Sequence, residues 1–215
     1  MTFEDRTDAG RQLAKALISY RGRDPVVYAL PRGGVVVGAE IARFLDATLD
    51  LVITRKIGHP MFSEYAIAAV CEDGNTVTNP TEIASVDRRW FEREVSIQQR
   101  EAQRRRCLYM RDRKPFPAQN KVAIIVDDGL ATGLTMFAAI QDVRRRGPRR
   151  IVVAVPVAPP DTVRKLKLLA DEVVVVYSPE EFNAIGSFYA RFDQVTDSEV
   201  IEILNSRIQS LVGKE

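Results

Sequence analysis

Apolar and polar positions along the chain fall into two alternating kinds of segment. Short runs rich in Val, Ile and Leu occupy residues 26–30, 49–54, 67–71, 122–126, 151–155 and 173–177. Their length and β-branching predict strands buried on both faces, as in a parallel sheet. Between many of them the apolar period lengthens to that of a helix. Residues 8–20, 35–45, 134–146, 161–170 and 197–211 are the predicted helices; 35–45 puts Val37, Ile41, Phe44 and Leu45 on one face. Boundary chemistry agrees. Gly147-Pro148 stops one helix, Pro159-Pro160 precedes the next, and Thr196 with Glu199 forms a capping box. Strands alternating with helices imply right-handed βαβ crossovers. The expected fold class is α/β: a mostly parallel, doubly wound sheet flanked by helices. Such sheets bind ligands beyond the C-terminal ends of their strands, so chemistry is sought in the loops that follow strands.

One stretch breaks the rhythm. Asn79-Pro80-Thr81-Glu82 is a helix start, with Asn as cap, Pro first and Glu third. The segment of about 79–114 that it opens is a long, charged helical insertion. Residues 87–114 hold ten Lys/Arg and five Asp/Glu, a local charge of +5. A solvated helix laced with i,i+4 pairs is the reading of first resort. A homodimer arm, or a lid over an anionic ligand, is the alternative. RNA binding is disfavoured, because few aromatics interleave the arginines.

Composition narrows the chemistry. With 215 residues, 46% apolar and 28% charged, the chain can bury a core without disulfides. A net charge of +2 gives no global pull towards nucleic acid or an anionic membrane. A lone histidine excludes a His-rich zinc site and an HExxH protease. Cys71 and Cys107 stand 36 positions apart, which argues against a structural zinc or a redox pair. His59, between Gly58 and Pro60, reads as a loop residue rather than a catalytic base. No signal-peptide stretch and no run near ~18 apolar residues is present, so a soluble cytoplasmic protein is expected.

The segment from Val122 to Thr135 carries the strongest signal. A buried strand runs into Asp127 and Asp128, then into Ala131-Thr132-Gly133-Leu134-Thr135 and a helix. That small-residue loop offers backbone N–H groups and two hydroxyls at a helix N-terminus, a cradle for phosphate. Gly133 lets the backbone approach closely. The two carboxylates would repel a phosphate directly. They suit sugar hydroxyls, or Mg²⁺ held directly or through water. A phosphate cradle beside a diol-binding acidic pair describes a phosphorylated ribose. After the first strand comes Pro31-Arg32-Gly33-Gly34, where paired glycines admit a diphosphate and Arg32 offers a planar fork of donors. A tight strand-to-helix turn is the plainer reading of that loop. Lys56, after the second strand, could neutralise a leaving diphosphate or be a surface charge.

The acidic pair followed by a TGxT-type loop closely resembles the phosphoribosyl-diphosphate motif of type I phosphoribosyltransferases. Ala29-Leu30-Pro31-Arg32-Gly33-Gly34 resembles that family's pyrophosphate loop, and Thr54-Arg55-Lys56 its pyrophosphate-contacting basic residue. The order of motifs, with the ending Phe182 to Val195, is similar to an uncharacterised bacterial group of predicted phosphoribosyltransferases over nearly the whole chain. The resemblance implies one phosphoribosyltransferase-like domain over residues 1–215, with the insertion at about 79–114 and a small hood at about 178–195. It implies Mg²⁺-dependent transfer of 5-phosphoribosyl from 5-phosphoribosyl 1-diphosphate to a nitrogenous, nucleobase-like acceptor, with release of pyrophosphate, in nucleotide metabolism. Asp127 and Asp128 would hold the ribose hydroxyls, Ala131–Thr135 the 5-phosphate, and Arg32, Gly33, Gly34 and Lys56 the pyrophosphate. Phe182, Phe188 and Tyr189 of the hood could stack on the acceptor ring. Ala131 departs from the hypoxanthine and guanine enzymes, which carry an Asp there, so no carboxylate base comes from this loop. A non-catalytic regulator that binds the same diphosphate is the alternative function.

Overall fold

The computed structural model describes residues 2–111 and 113–212. Five strands form a parallel sheet: β1 (Pro25–Ala29), β2 (Thr48–Leu51), β6 (Val122–Val126), β7 (Arg150–Val157) and β8 (Glu172–Tyr177). Their spatial order is β2-β1-β6-β7-β8. Side chains alternate through the sheet. One face sends Val27, Ala29, Leu51, Ile124 and Val152 against α1 (Arg6–Ala16), α2 (Gly33–Leu45) and the start of α7 (Asp197–Val212). The other sends Tyr28, Ala123, Ile125 and Val153 against α5 (Leu134–Arg145) and α6 (Pro160–Leu166). Burial on both faces is why these strands read as unbroken apolar runs. The expected α/β doubly wound architecture is present.

The predicted strand at 67–71 belongs to a different sheet. It is the buried end of β4 (Phe62–Cys71), which runs antiparallel to β3 (Thr54–His59) and β5 (Thr76–Thr78). The run 49–54 is likewise two elements. Leu51, Val52 and Ile53 are all buried, so no polar residue marks the corner between β2 and β3. The insertion also divides. Asn79 caps only the short α3 (Pro80–Ile83), accepting from the Thr81 N–H at 3.2 Å. A second cap, Asp87, accepts from the Trp90 N–H at 2.8 Å and starts the long α4 (Arg88–Met110). Trp90, Phe91 and Val95 press onto Ile57, Ile67 and Val70 of the small sheet. Much of the outer surface of α4 carries the expected pairs, such as Arg88–Glu92 at 2.8 Å and Glu101 with Arg104 and Arg105. The helices predicted at 8–20 and 161–170 are shorter, ending at Ala16 and Leu166.

Residues 178–195 fold back over the C-terminal ends of β6 and β7. A 3₁₀ turn, Ile185–Phe188, and the rings of Phe182, Phe188, Tyr189 and Phe192 pack with Phe3 and Val157. The N-terminal segment straps this hood down. The Phe3 N–H donates to Phe188 O at 2.8 Å, Ala190 N–H to Phe3 O at 2.8 Å, and Arg191 N–H to Glu4 O at 2.9 Å. Among the described residues no helix is long and apolar enough to cross a membrane.

Candidate active site

β1 and β6 are hydrogen-bonded neighbours, with Ala29 opposite Val126. Their C-terminal loops therefore leave the sheet side by side. The first is Leu30 to Gly34, which runs into α2; its Pro31–Arg32 peptide is cis. The second is Asp127 to Gly133, which runs into α5. The Leu30 N–H donates to Val126 O at 2.9 Å and pins one loop to the root of the other.

The two loops touch. A Cβ built on Gly33 would lie 1.9 Å from Asp128 Oδ2, and one on Gly34 would lie 3.0 Å from Asp127 Cα. No side chain fits at Gly33 while Asp128 keeps its place. The paired glycines thus admit the acidic pair as well as opening the backbone. Asp127 Oδ1 accepts the Asp128 N–H at 2.9 Å. Burial and the adjacent Asp128 charge push the Asp127 carboxyl well above the usual carboxylate range, with Arg6 acting in the opposite sense. Asp128 Oδ2 accepts from Arg6 Nε at 2.7 Å. The Tyr189 hydroxyl donates to Asp128 O at 2.5 Å, and burial beside Asp128 raises its pKa, so it stays a neutral donor.

Beyond the pair, Gly133 sits at φ 80°, in the left-handed region, and serves as the N-cap of α5. It has no side chain to satisfy the first-turn N–H groups, which leaves them for an anion. Ala131 and Thr132 are exposed, and Thr135 is half-buried. The buried Thr162 hydroxyl donates to Ala131 O at 2.5 Å and holds this loop from α6. Between the loop and the hood lies a groove of about 470 Å³, lined by Ala131, Pro159, Pro160, Asp161, Glu180, Phe182 and Asn183.

The residues read from the sequence are only partly gathered here. Arg32, Gly33, Gly34, Asp127, Asp128 and Ala131–Thr135 share the strand-end face. The Arg32 guanidinium lies 3.6 Å from Asp197 at the start of α7, and the Tyr109 hydroxyl donates to the same carboxylate at 2.6 Å. Lys56 stands apart. It lies inside β3 on the hairpin, half-exposed, paired with Glu64 at 2.9 Å, and bonds to neither strand-end loop. Phe182 lines the groove, whereas Tyr189 is buried and Phe188 packs edge-on to Tyr177, so both rings serve the hood core. His59 accepts the Met61 N–H at 3.2 Å at the hairpin turn and stacks on Phe62. Arg6, Thr162 and the Tyr189 hydroxyl are contacts that the sequence reading missed. Arg6 follows the Asp5 cap of α1, but nothing local signals a partner 122 positions away.

Among the described residues no group of three or more His, Cys, Asp or Glu is placed to cage a metal ion. Asp127 and Asp128 supply two carboxylates, each with one oxygen already engaged. That donor set fits Mg²⁺, which keeps waters and completes its shell with substrate oxygens.

Sheet order, adjoining strand-end loops and hood together define the class, and the chain belongs to the phosphoribosyl transferase domain family, whose description matches residues 3–186. Two relatives show how far the likeness extends. A Mycobacterium tuberculosis protein (strain H37Rv), named "Putative phosphoribosyl transferase Rv0571c", is 42% identical over 208 residues, covering 94% of this chain and 46% of its own length. The chain thus spans about half the length of that curated relative. The crystal structure of TT1426 from Thermus thermophilus superposes with a TM-score of 0.81 at 44% identity, covering 96% of this chain and 99% of that one.

Proposed function

We propose that the chain is a phosphoribosyltransferase. It moves 5-phosphoribosyl from 5-phosphoribosyl 1-diphosphate to a nitrogenous, nucleobase-like acceptor. The observation that carries this reading is the contact between the two strand-end loops, which sets an acidic pair between a glycine loop and an uncapped helix N-terminus. Asp127 Oδ2 and Asp128 Oδ1 take hydroxyls of the ribose. The first-turn N–H groups of α5, with Thr132 and Thr135, take the 5-phosphate. Gly33, Gly34 and Arg32 receive the diphosphate.

In the transfer, a C1–N bond forms while the C1–O bond to diphosphate breaks. The bonding pair departs with the diphosphate, and the acceptor nitrogen loses its proton. Mg²⁺ held at the acidic pair would supply charge neutralisation for the leaving group. Arg32 adds donors to the same oxygens. Charge develops at C1 as the bond loosens, so the Asp128 carboxylate, fixed by Arg6 beside the ring, stabilises it without reorganising. No histidine is needed. Because Ala131 provides no carboxylate, the acceptor reacts as its anion or loses its proton to another group, and the groove against Phe182 is where it would lie. The domain organisation is proposed as one unit over residues 1–215.

A nucleobase panel scored by pyrophosphate release, with Mg²⁺ present, tests the reading. Turnover with at least one planar nitrogenous acceptor is expected. Tight binding of 5-phosphoribosyl 1-diphosphate with no turnover on any acceptor would favour the regulator instead.

A further inference from the structure

The first residue of α1 reaches into the strand-end face. Arg6 is almost buried, its side chain 12% exposed, and it makes three contacts at once. Nε donates to Asp128 Oδ2 at 2.7 Å, Nη1 donates to Asp193 O at 2.7 Å, and the guanidinium lies 3.8 Å over the Phe192 ring. One side chain thus touches the acidic pair and two consecutive residues of the hood. The strap through Phe3 and Glu4 fixes where α1 begins, and the Asp5 side chain caps it at the Asp8 N–H, 2.9 Å. The position of Arg6 is set from three sides before any ligand arrives.

We propose that Arg6 is a positioning residue that orients Asp128 for the sugar hydroxyls and ties that orientation to the seated hood. The inference rests on the reading of the acidic pair as the ribose site. Arg6 engages Oδ2 through a single N–H, so it aims the carboxylate, beside which the Asp127 carboxyl also lies, without closing it off. A planar guanidinium meets a carboxylate, a carbonyl and a ring face in fixed directions, which the freely rotating ammonium of a lysine does not hold. A charge-assisted bond in a desolvated place is strong, and removing one partner leaves the other free to turn. Asp128 is also hemmed in at Gly33, where Arg6 Nε lies 2.7 Å from the position of a missing Cβ. A carboxylate released by Arg6 has room to move only away from that glycine loop.

Calorimetric titrations of wild type, Arg6→Gln and Arg6→Lys provide the test. The ligands are ribose 5-phosphate, its 2-deoxy and 3-deoxy analogues, inorganic pyrophosphate and 5-phosphoribosyl 1-diphosphate. Wild type should prefer ribose 5-phosphate over at least one deoxy analogue by roughly tenfold or more, the scale of a hydrogen bond to a charged group. Arg6→Gln should lose most of that preference while binding pyrophosphate within about threefold of wild type. Loss of packing alone would weaken all the ligands together. Arg6→Lys, which keeps the charge but does not fix the three contacts, should retain part of the preference, and it carries the test if Arg6→Gln does not fold. Wild-type discrimination persisting in both variants would overturn the role of Arg6 and leave the ribose reading standing. Wild type binding neither ribose 5-phosphate nor 5-phosphoribosyl 1-diphosphate would overturn both.

Discussion

The strand-end face of the parallel sheet and the antiparallel sheet with α4 handle charge in opposite ways. At the strand ends, two carboxyl groups sit side by side in a half-buried place, Asp127 taking the Asp128 N–H and Asp128 taking Arg6, and they crowd each other rather than closing onto a basic partner apiece. On the hairpin and α4, charge is mostly spread over exposed surface and closed into pairs such as Lys56–Glu64 and Arg88–Glu92. The seam between the regions is the exception. There Arg106 meets Asp50 Oδ1 at 3.1 Å and Leu51 O at 3.0 Å, and Glu72 Oε2 is buried with no hydrogen-bond partner among the described residues. Crowded carboxyls beside a glycine loop mark a site, whereas paired surface charge marks a scaffold.

The largest effect should follow from emptying the site of charge. Asp127→Asn with Asp128→Asn should lower turnover by roughly 10³-fold or more, by analogy with removing a group that stabilises developing charge. The thermal midpoint should shift little, because the amide oxygen that Asp128→Asn leaves in place still accepts from Arg6, while loss of the buried Asp127 charge offsets the weakened pair. Next, Gly33→Ala forces a Cβ to within 1.9 Å of Asp128 Oδ2. It should destabilise the fold by about 1–3 kcal/mol and weaken 5-phosphoribosyl 1-diphosphate binding, measured by denaturation and calorimetry.

The seam gives a smaller, pH-dependent effect. Burial raises the Glu72 pKa, with Arg106 and Arg146 opposing and Asp142 and Asp50 adding to the rise. A carboxyl raised in the folded state favours folding below its ordinary pKa, and that contribution is lost as pH rises through the raised value. Glu72→Gln should therefore melt higher than wild type at neutral pH, with the advantage shrinking as the pH falls into the ordinary carboxylate range. An advantage that grows in acid would contradict this. Smallest is Lys56→Ala. The pair with Glu64 is exposed and worth at most about 1 kcal/mol. If Lys56 meets the diphosphate, its loss should lower affinity less than Gly33→Ala does, because no contact in the folded chain fixes it at the site.

How much was legible follows the same divide. From Val122 to Thr135 the strand, acids, glycine turn and helix are contiguous, so each local rule points to the same site. The helix cap at Thr196 is a local signal of the same kind, whereas the cap at Asp87 is hidden behind the helix start at Asn79. The antiparallel sheet was hidden because Leu51, Val52 and Ile53 carry no polar residue at the corner. The inward turn of Phe188 and Tyr189 depends on Phe3, at the far end of the chain. So does Arg6: its partner is a matter of tertiary placement, which periodicity does not encode.

The most direct measurement is calorimetric titration of 5-phosphoribosyl 1-diphosphate with Mg²⁺ into wild type and into the Asp127→Asn, Asp128→Asn double variant. Saturable binding by wild type, lost in a double variant that keeps the wild-type melting profile, is the predicted result. No binding by wild type, or equal binding by the folded double variant, would contradict the acidic pair as the ribose site.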